Sequence, residues 1–283
     1  MFATATLAAR IERAECSMLS DLASSMSRMP PEGIVMQPIG GGLAIYTGAN
    51  SPSNKLAGLG FAPPPTPDEL DDVERAFATR GAPLQVEVSS LAQPDVLKSL
   101  AGRGYALIGF ENVLGLPLTE STAAIADDPH VHISRVHHRE AEASKQWMET
   151  VIDGFLHPDT FDGPPSHEAF AREEMERFFN DTFVAESFER YLARRDGREA
   201  GAASLRLQEG IAQLAGAATV PAHRRKGVQT ALLRYRLREA ARRGCDVAVV
   251  TTQPGSKSTE NVQRFGFSIL YVRAIMVRPP DAS

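Results

Sequence analysis

Residues 220–233 have the sequence Val-Pro-Ala-His-Arg-Arg-Lys-Gly-Val-Gln-Thr-Ala-Leu-Leu. An apolar, strand-like run ends at Val220, and a basic loop with one glycine follows it. Leu232 and Leu237 then stand at helical spacing, which predicts a long helix beginning near Val228. Strand-like and helix-like segments alternate elsewhere in the chain as well. The sequence therefore predicts an α/β or α+β fold.

The charges of the basic loop conflict with the helix that follows it. The first turn of a helix presents unpaired N–H groups and the positive end of the helix dipole, so Asp and Glu are preferred there. Arg224, Arg225 and Lys226 have the opposite sign, at a cost of up to about 1 kcal/mol each if nothing compensates. An anion held by the loop amides removes this conflict, and Gly227 lets the backbone approach it closely. A phosphate or pyrophosphate site is therefore favoured over a loop whose cations are merely solvated.

The chain also repeats one order of elements. Each copy contains a strand, a turn, a helix, a second strand, a short helix, a Gly-aromatic pair and a final strand. The matching landmarks are Gly104-Tyr105 with Gly266-Phe267, Arg80-Gly81 with Arg243-Gly244, residues 84–90 with 247–252, and residues 54–59 with 213–218. The copies meet in a segment rich in Ser, Thr, Ala and Asp, near residues 119–129.

The corresponding loop of the first copy, residues 61–70, lacks the anion-binding features. Its four prolines remove four backbone N–H donors. Thr66 and Glu69 form a T-x-x-E capping box, with Pro67 at the first helical position and Asp68 beside it. This helix is predicted to satisfy its own N-terminus and to repel anions. Only the second copy is therefore expected to bind one.

The remaining segments complete a coarse prediction of elements. In the first copy a helix is expected over residues 7–26, and strands over 33–38 and 42–46. In the second copy we expect strands at 131–136, 190–195, 200–207 and 211–220, and helices at 139–155 and 167–180. The loop at 157–165 is either a lid over an acceptor site or a plain surface connection.

The strand, loop and helix around Gly227 resemble the acetyl-CoA signature of the GNAT superfamily of N-acetyltransferases. That signature is Q/R-x-x-G-x-G/A, and residues 224–229 match it except at the last position, where Gln229 replaces Gly or Ala. Residues 254–267 resemble the second signature of the family, with Asn261 in a short helix that ends at Gly266-Phe267.

This resemblance implies an α/β (α+β) fold of two tandem GNAT-like domains, each with a mixed, mostly antiparallel central sheet flanked by helices. Residues 1–122 would be a degenerate GNAT-like domain without the acetyl-CoA signature. Residues 130–283 would be the acetyltransferase domain.

The resemblance also implies how a cofactor would bind. Acetyl-CoA would be the acyl donor, and no metal would be needed. The end of the strand before the loop, Thr219 and Val220, would contact the pantetheine arm through its backbone, and Asn261 would contact the same arm. The pyrophosphate would be held by the loop and the first helical turn, namely Arg224, Arg225, Lys226, Gly227, Val228, Gln229 and Thr230.

The implied chemistry is direct attack of a neutral amine on the thioester. Backbone N–H groups of the strand would stabilise the oxyanion, a base would accept the proton of the amine, and an acid would protonate the thiolate. GNAT enzymes often use as the acid a tyrosine four residues before the glycine of the Gly-Phe pair, but Val262 stands there and cannot donate. Tyr271 or Ser258 is the candidate acid and Glu209 the candidate base, with Ser256, Glu173 and Glu174 as further alternatives. The competing interpretations are a tyrosine that packs in a strand and carboxylates that are merely solvated.

Composition limits the other function classes. The 283 residues are 43% hydrophobic and 23% charged, which excludes wholesale disorder. The formal charge of −5 gives no reason to expect nucleic acid or an anionic membrane as a partner. Cys16 and Cys245 are too few for a disulfide framework. With no apolar run of about 18 residues and no signal peptide, a cytoplasmic protein is expected.

Other motifs are weaker, and one alternative function stays open. The four histidines His130, His132, His137 and His138 lack suitably spaced Cys or acidic partners, so exposed side chains are favoured over a metal site. Pro63 stands where a dinucleotide-binding G-x-G-x-x-G motif would need its third glycine. The expected partner is a small-molecule or peptide amine, and a homodimer is left open. The alternative is a non-catalytic acyl-CoA-binding or regulatory protein, which Val262 and Gln229 motivate.

Overall fold

Helices and strands alternate along the chain, as the sequence predicts. The computed structural model describes residues 1–26, 33–159 and 171–280. The helices are α1 (Ala5–Ser25), α2 (Pro67–Ala78), α3 (Pro94–Gly102), α4 (Glu120–Ala123), α5 (Ala141–Leu156), α6 (Arg172–Thr182), α7 (Val228–Arg242) and α8 (Lys257–Arg264). The strands are β1 (Val35–Ile39), β2 (Gly42–Tyr46), β3 (Lys55–Ala57), β4 (Leu84–Ser89), β5 (Ala106–Pro117), β6 (His132–Val136), β7 (Phe188–Arg195), β8 (Arg198–Gln208), β9 (Ile211–Thr219), β10 (Val247–Thr252) and β11 (Ser268–Arg278). Among the described residues, no helix is long and apolar enough to cross a membrane.

The chain folds into two compact units, each discontinuous in sequence. The N-terminal unit contains the described residues of 2–113, 164–182 and 269–283. The C-terminal unit contains Met1 and the described residues of 114–163 and 183–268. The predicted domain limits, 1–122 and 130–283, follow the sequence repeat rather than the packing, and they stay a prediction.

The N-terminal unit is a mixed sheet with helices on both faces. Its strands lie in the order β1-β2-β3-β4-β11-β5. The β1/β2, β2/β3 and β4/β11 pairs are antiparallel, whereas β3 and β4 are parallel. Ala44 packs in the same core as Phe77 of α2, and its neighbour Ile45 packs with Leu19 of α1. Since adjacent strand residues point to opposite faces, α1 and α2 cover opposite sides of this sheet.

The C-terminal unit follows the same plan. Its strands lie in the order β10-β9-β8-β7-β6, with only the β9/β10 pair parallel. A Cβ atom at Gly201 on β8 would meet Val228 of α7, and a Cβ atom at Gly154 of α5 would meet Ala218 on β9. Ala218 pairs with Ala202, the neighbour of Gly201, so α7 and α5 lie on opposite faces. Both units thus confirm the predicted mixed sheet flanked by helices.

The repeat predicted from the sequence is present in the structure. The order β3-α2-β4-α3-β5 matches the order β9-α7-β10-α8-β11, and in each case the first two strands are parallel neighbours. The four landmark glycines, Gly81, Gly104, Gly244 and Gly266, all have positive φ. They therefore mark equivalent turns after the helices of the two copies.

A few element limits differ from the predicted ones. β9 ends at Thr219, one residue early, because Pro221 opens a 3-10 turn that continues to His223. The expected helix over 167–180 is α6, which begins at Arg172 within the described residues. Most of the expected loop at 157–165, and the start of that predicted helix, lie outside the described residues.

A buried ionic cluster joins strand β11 to the rest of the N-terminal unit. Arg273 is 1% exposed, and its Nε atom lies 2.9 Å from Oε1 of Glu12 on α1. Its Nη1 atom lies 3.3 Å from Glu87 on β4 and 3.2 Å from Glu111 on β5, and Nη2 lies 3.6 Å from Glu15. An ion this deeply buried is costly unless opposite charges or hydrogen bonds compensate for it. Arg273 is therefore the counter-ion on which four carboxylates converge.

The cluster predicts a large loss of stability when its central cation is removed. Arg273→Met should lower the free energy of unfolding by about 3–5 kcal/mol, because it leaves buried carboxylates without their counter-charge. Urea unfolding at pH 7 measures this. The matched control is Arg264→Met, which removes a mostly exposed partner of Glu260 and should cost no more than about 1 kcal/mol. Equal losses for the two variants would contradict the assignment.

The same cluster predicts a pH dependence of stability. Burial, and next the charge of Glu87, raise the pKa of Glu111 to about 8. A carboxyl with a raised pKa in the folded state contributes stability below its unfolded pKa, and that contribution is lost as the pH rises through the folded value. Glu111→Gln should therefore flatten the decline in unfolding free energy between about pH 5 and pH 9, measured by urea titration. Exposed Glu149→Gln should follow the wild-type curve, and a parallel curve for Glu111→Gln would refute the prediction.

Candidate active site

Strands β9 and β10 separate soon after they pair. Their ladder runs from Ile211 opposite Val247 to Gln213 opposite Val249, which is three pairs. Beyond Gln213, β9 pairs with β8 as far as Thr219, and the described ladder with β10 has ended. Backbone groups on this edge of β9 thus face a gap between two parallel strands. Ala215, Gly216 and Ala217 are the partly exposed residues there, so no long side chain of β9 obstructs it.

A bulge in β9 accompanies the separation. The register with β8 shifts between Ala202, opposite Ala218, and Ser204, opposite Ala215. Gly216 lies inside the shift with φ of 55°, a left-handed conformation that glycine adopts at little cost. The extra residue bends β9 where the gap opens.

The loop after β9 has the geometry of an anion-binding nest. The sign of φ alternates from −64° at Arg224 to 59° at Arg225, and again to 81° at Gly227, the residue before α7. Alternating conformations make successive N–H groups converge on one concave side. Within the described part of the chain, none of the amides from Arg225 to Thr230 has an acceptor. The first bond of α7 runs from Ala231 N–H to the Gly227 carbonyl at 2.9 Å.

The charges around the nest also favour an anion. Arg225 and Lys226 are exposed, and neither forms an ion pair with a described residue. The first turn of α7 contains no acidic residue. The carboxylate of Asp128 is the nearest atom to a Cβ placed on Gly227, at 3.6 Å. The amides at the start of α7 and two exposed cations, with the Asp128 carboxylate as an opposing charge nearby, therefore form a site suited to a phosphate group.

Two arginines hold the loop in place. Arg224 donates from Nε to the Thr219 carbonyl at 3.3 Å and from Nη2 to the His157 carbonyl, and Nη1 lies 3.3 Å from Asp159. Arg195, at the end of β7, donates to the Lys226 carbonyl at 2.6 Å. The side chain of Arg224 is thus engaged within the protein. Arg195 was missed in the sequence analysis, because its loop partner lies 31 residues away.

Gln229, which departs from the family signature, turns back toward β9. Its Oε1 atom accepts a hydrogen bond from the Thr219 hydroxyl at 3.4 Å. The Val220 N–H donates to the Ala200 carbonyl at 3.1 Å, and its carbonyl accepts from His223. The Thr219–Gln229 bond therefore links the two ends of the loop, and the Val220 amide ties its start to β8. The roles of Thr219, Val220, Arg224 and Gln229 toward a cofactor stay predictions.

The equivalent helix of the N-terminal unit confirms the predicted capping box. Thr66 Oγ1 accepts from Glu69 N–H at 3.3 Å, and Glu69 Oε2 accepts from Thr66 N–H at 2.7 Å. Pro67 begins the helix, as predicted. The loop before it is also closed by its own chain, since Gln93 N–H donates to the Gly60 carbonyl at 3.0 Å. The N-terminus of α2 is therefore capped by its own side chains and carries acidic charge.

The candidate catalytic residues lie in different places. Tyr271 is buried in the N-terminal unit, and its hydroxyl donates to Glu12 at 2.7 Å; burial and the charge of Glu12 raise its pKa well above the usual range. Glu209 is exposed in the turn between β8 and β9, at the opposite end of β9 from the nest. Ser258 is exposed in the first turn of α8, and Asn261 is half-buried on the same helix. The structure does not bring Glu209 together with the loop, and the roles of all four stay predictions.

Two of the alternative acids and bases already form hydrogen bonds with other residues. Ser256 caps α8 by accepting from Thr259 N–H at 3.2 Å. Glu174 accepts from Ala171 N–H and from Asn50, and these bonds lower its pKa. Val262, at the position of the usual acid, is buried in the core of the C-terminal unit. Among the described residues, no group of His, Cys, Asp and Glu is arranged to hold a metal ion.

Comparison with known families identifies the segment that carries this loop. Residues 155–267 match the sequence model of the Acetyltransferase (GNAT) family. Residues 155–267 therefore resemble a GNAT domain. The match covers β7 to α8, which includes the separated strands, the nest and α8.

Solved structures extend the likeness over nearly the whole chain. A tandem GNAT protein from the clavulanic acid biosynthesis pathway is 12% identical with a TM-score of 0.62, covering 93% of this chain and 88% of its own. A GCN5-related N-acetyltransferase from Kribbella flavida is 18% identical with a TM-score of 0.59, covering 93% and 95%. A functionally unknown conserved protein from Staphylococcus epidermidis is 10% identical with a TM-score of 0.61, covering 90% and 99%. No curated protein matches the sequence.

These comparisons confirm the predicted tandem GNAT fold. At such identities the solved structures establish the fold alone, whereas the GNAT segment carries the family assignment. Family and fold together support an acyltransferase function in general.

The nest predicts opposite effects of glycine at two neighbouring positions. Arg225 has φ of 59°, which costs a non-glycine residue of order 1 kcal/mol, so Arg225→Gly should raise the unfolding free energy of the ligand-free protein or leave it unchanged. Lys226→Gly lacks that relief and should lower it by about 0.5–1 kcal/mol. Urea unfolding of both variants tests this. Similar losses in the two variants would show that the loop does not hold Arg225 in the left-handed conformation.

Proposed function

We propose that the chain transfers the acetyl group of acetyl-CoA to an amine. One observation carries the proposal: a gap between parallel strands leads, through β9, to a nest of unpaired amides at the N-terminus of α7. Acetyl-CoA combines a dianionic pyrophosphate with an arm that contains amide groups. The nest fits the pyrophosphate, and the unpaired edge of β9 fits the amide groups of the arm.

The donor would lie along the segment from β9 to α7. The amides from Arg225 to Thr230 would hold the pyrophosphate, with the charges of Arg225 and Lys226 beside it. The pantetheine amides would hydrogen-bond to the edge of β9 beyond Gln213, in place of the strand partner that β10 no longer supplies. Small side chains at Ala215, Gly216 and Ala217 leave room for the arm.

Transfer would proceed by direct attack. The nitrogen of a neutral amine forms a bond to the thioester carbon, the carbonyl oxygen becomes an oxyanion, and the carbon–sulfur bond then breaks to release CoA. Backbone N–H groups of β9 at the gap would stabilise the oxyanion. A base accepts the proton of the amine and an acid protonates the thiolate. Glu209 as the base and Tyr271 or Ser258 as the acid are carried forward as hypotheses, and Asn261 as a contact to the arm.

A second candidate function is binding of acyl-CoA without catalysis. Two observations favour it: Val262 is buried where the usual acid would stand, and the Tyr271 hydroxyl already donates to Glu12. Both candidate functions also need an acceptor or partner of stated chemistry. We propose a small-molecule or peptide amine, and a homodimer is compatible with the proposal.

The proposal predicts that one charge reversal weakens acetyl-CoA binding while another does not. Arg225→Glu should weaken acetyl-CoA binding at least about tenfold, because it places a carboxylate at the pyrophosphate site. Isothermal titration calorimetry measures the dissociation constant. The matched control is Asp68→Lys, which reverses the charge in the first turn of α2 and should leave binding unchanged. Unaltered affinity in Arg225→Glu would refute the assignment of the nest.

Thiol release distinguishes the two candidate functions. The wild-type protein is incubated with acetyl-CoA and one amine at a time: spermidine, an aminoglycoside, a peptide with a free N-terminus and a peptide with an internal lysine. Release of CoA that depends on one amine supports acetyl transfer. Tight binding of acetyl-CoA with no release for any amine supports the non-catalytic alternative.

A further inference from the structure

The bulge of β9 is braced by a buried cation from α7. Arg236 is 2% exposed, and it donates from Nη1 to the Ser204 carbonyl at 2.9 Å and to the Ala215 carbonyl at 3.5 Å. Its Nε atom donates to the Leu232 carbonyl at 3.2 Å. No described carboxylate forms an ion pair with it. A buried guanidinium therefore rests on carbonyl groups, two of which belong to the Ser204–Ala215 pair next to the register shift.

The burial of this arginine calls for an explanation beyond packing. Burial lowers its pKa to about 10, so it is still a cation at neutral pH. A buried charge without an ionic partner is costly unless neighbouring dipoles compensate for it. Arg236 is surrounded by carbonyl dipoles at the one place where the β8–β9 ladder is irregular. Its position indicates that the charge stabilises the backbone at the bulge.

The peptide that Arg236 contacts is also the one that faces the gap. Ser204 and Ala215 are opposite each other on β8 and β9, and one Nη1 atom reaches both of their carbonyl oxygens. The Ala215 carbonyl therefore points toward the β8–β9 seam. Because a trans peptide is planar, the N–H of Gly216 in the same peptide points away from that seam. That direction is the edge of β9 where the ladder with β10 has already ended.

We propose that Arg236 is a positioning residue for acyl transfer, which fixes the Ala215–Gly216 peptide and strengthens its N–H as a hydrogen-bond donor to the thioester oxygen. Donation to a carbonyl polarises the peptide, so its N–H binds an oxyanion more strongly than an unassisted amide does. Arg236 also fixes the bulge relative to α7, whose N-terminus carries the nest. This inference rests on the proposed function, because it needs acetyl-CoA in the gap.

The experiment compares three variants with the wild-type protein. Arg236→Met removes the charge with little loss of volume, and Arg236→Lys keeps the charge with a shorter reach. Arg234→Met is the matched control, because Arg234 is exposed two residues away on the same helix. Each protein is titrated with acetyl-CoA carrying ¹³C at the thioester carbonyl, and the carbonyl chemical shift of the bound ligand is recorded. The shift reports the hydrogen bond at that oxygen without any need for an acceptor.

The expected results separate positioning from simple folding effects. Wild-type protein should move the bound carbonyl resonance downfield. Arg236→Met should lose most of that change while its dissociation constant stays within about threefold, and Arg236→Lys should restore part of it. With an amine that is turned over, Arg236→Met should lower kcat about tenfold with little change in KM for acetyl-CoA. Arg234→Met should match the wild type.

The contrary results separate a failure of the proposed function from a failure of the inference about Arg236. If the wild-type protein does not bind acetyl-CoA, the proposed function fails and this inference falls with it. If it binds but leaves the carbonyl resonance where it lies for free acetyl-CoA, the inference about Arg236 fails alone, even if neither variant folds. A full downfield shift in Arg236→Met has the same consequence.

Discussion

The candidate site depends on the point at which β9 stops pairing with β10. A parallel ladder normally satisfies the backbone along both strands, but here it ends after three pairs, at Gln213 and Val249. The bulge at Gly216 bends β9 at that point, and the freed edge leads directly to the nest before α7. Unpaired backbone groups are costly when buried, so a structure that keeps a row of them gives a ligand backbone-like partners to bind. The gap and the nest thus lie at the two ends of one segment whose backbone groups lack described partners.

Local features of the site could be predicted from the sequence, and non-local ones could not. The start of α7 at Val228 and the capping box at Thr66 and Glu69 are confirmed, because each depends on residues a few positions apart. The mixed sheets and the repeat are confirmed as well, since strand and helix patterns recur at fixed spacing. The contacts of Arg195 with Lys226 and of Tyr271 with Glu12 join residues far apart in the chain, and no spacing indicates them. The sequence analysis also could not foresee that β11 pairs with β4, since this depends on the packing of the N-terminal unit.

The two copies share one order of elements but differ at the N-terminus of the helix that follows the first strand. In both, a parallel pair of strands flanks a helix whose N-terminus follows the first strand. In the N-terminal unit the helix is capped by its own side chains, and Gln93 closes the preceding loop on Gly60. In the C-terminal unit the amides are unpaired, and a Cβ atom at Gly255, in the turn after β10, would meet nothing within 4 Å. The difference arises from a few side chains and prolines, not from the order of elements.

Four arginines around the candidate site differ in burial and in what they contact. Arg225 is exposed and strained, a combination that stability alone does not favour, since the left-handed conformation costs free energy and its guanidinium has no described partner. Arg195 and Arg224 are partly buried and donate hydrogen bonds to carbonyl groups that shape the loop. Arg236 is fully buried behind the bulge. Cations therefore stand at graded depths around one backbone opening, the outer one able to meet a phosphate and the inner one able to act only through a peptide group. This gradient is expected for a ligand that has a charged end in solvent and a reactive end inside the sheet.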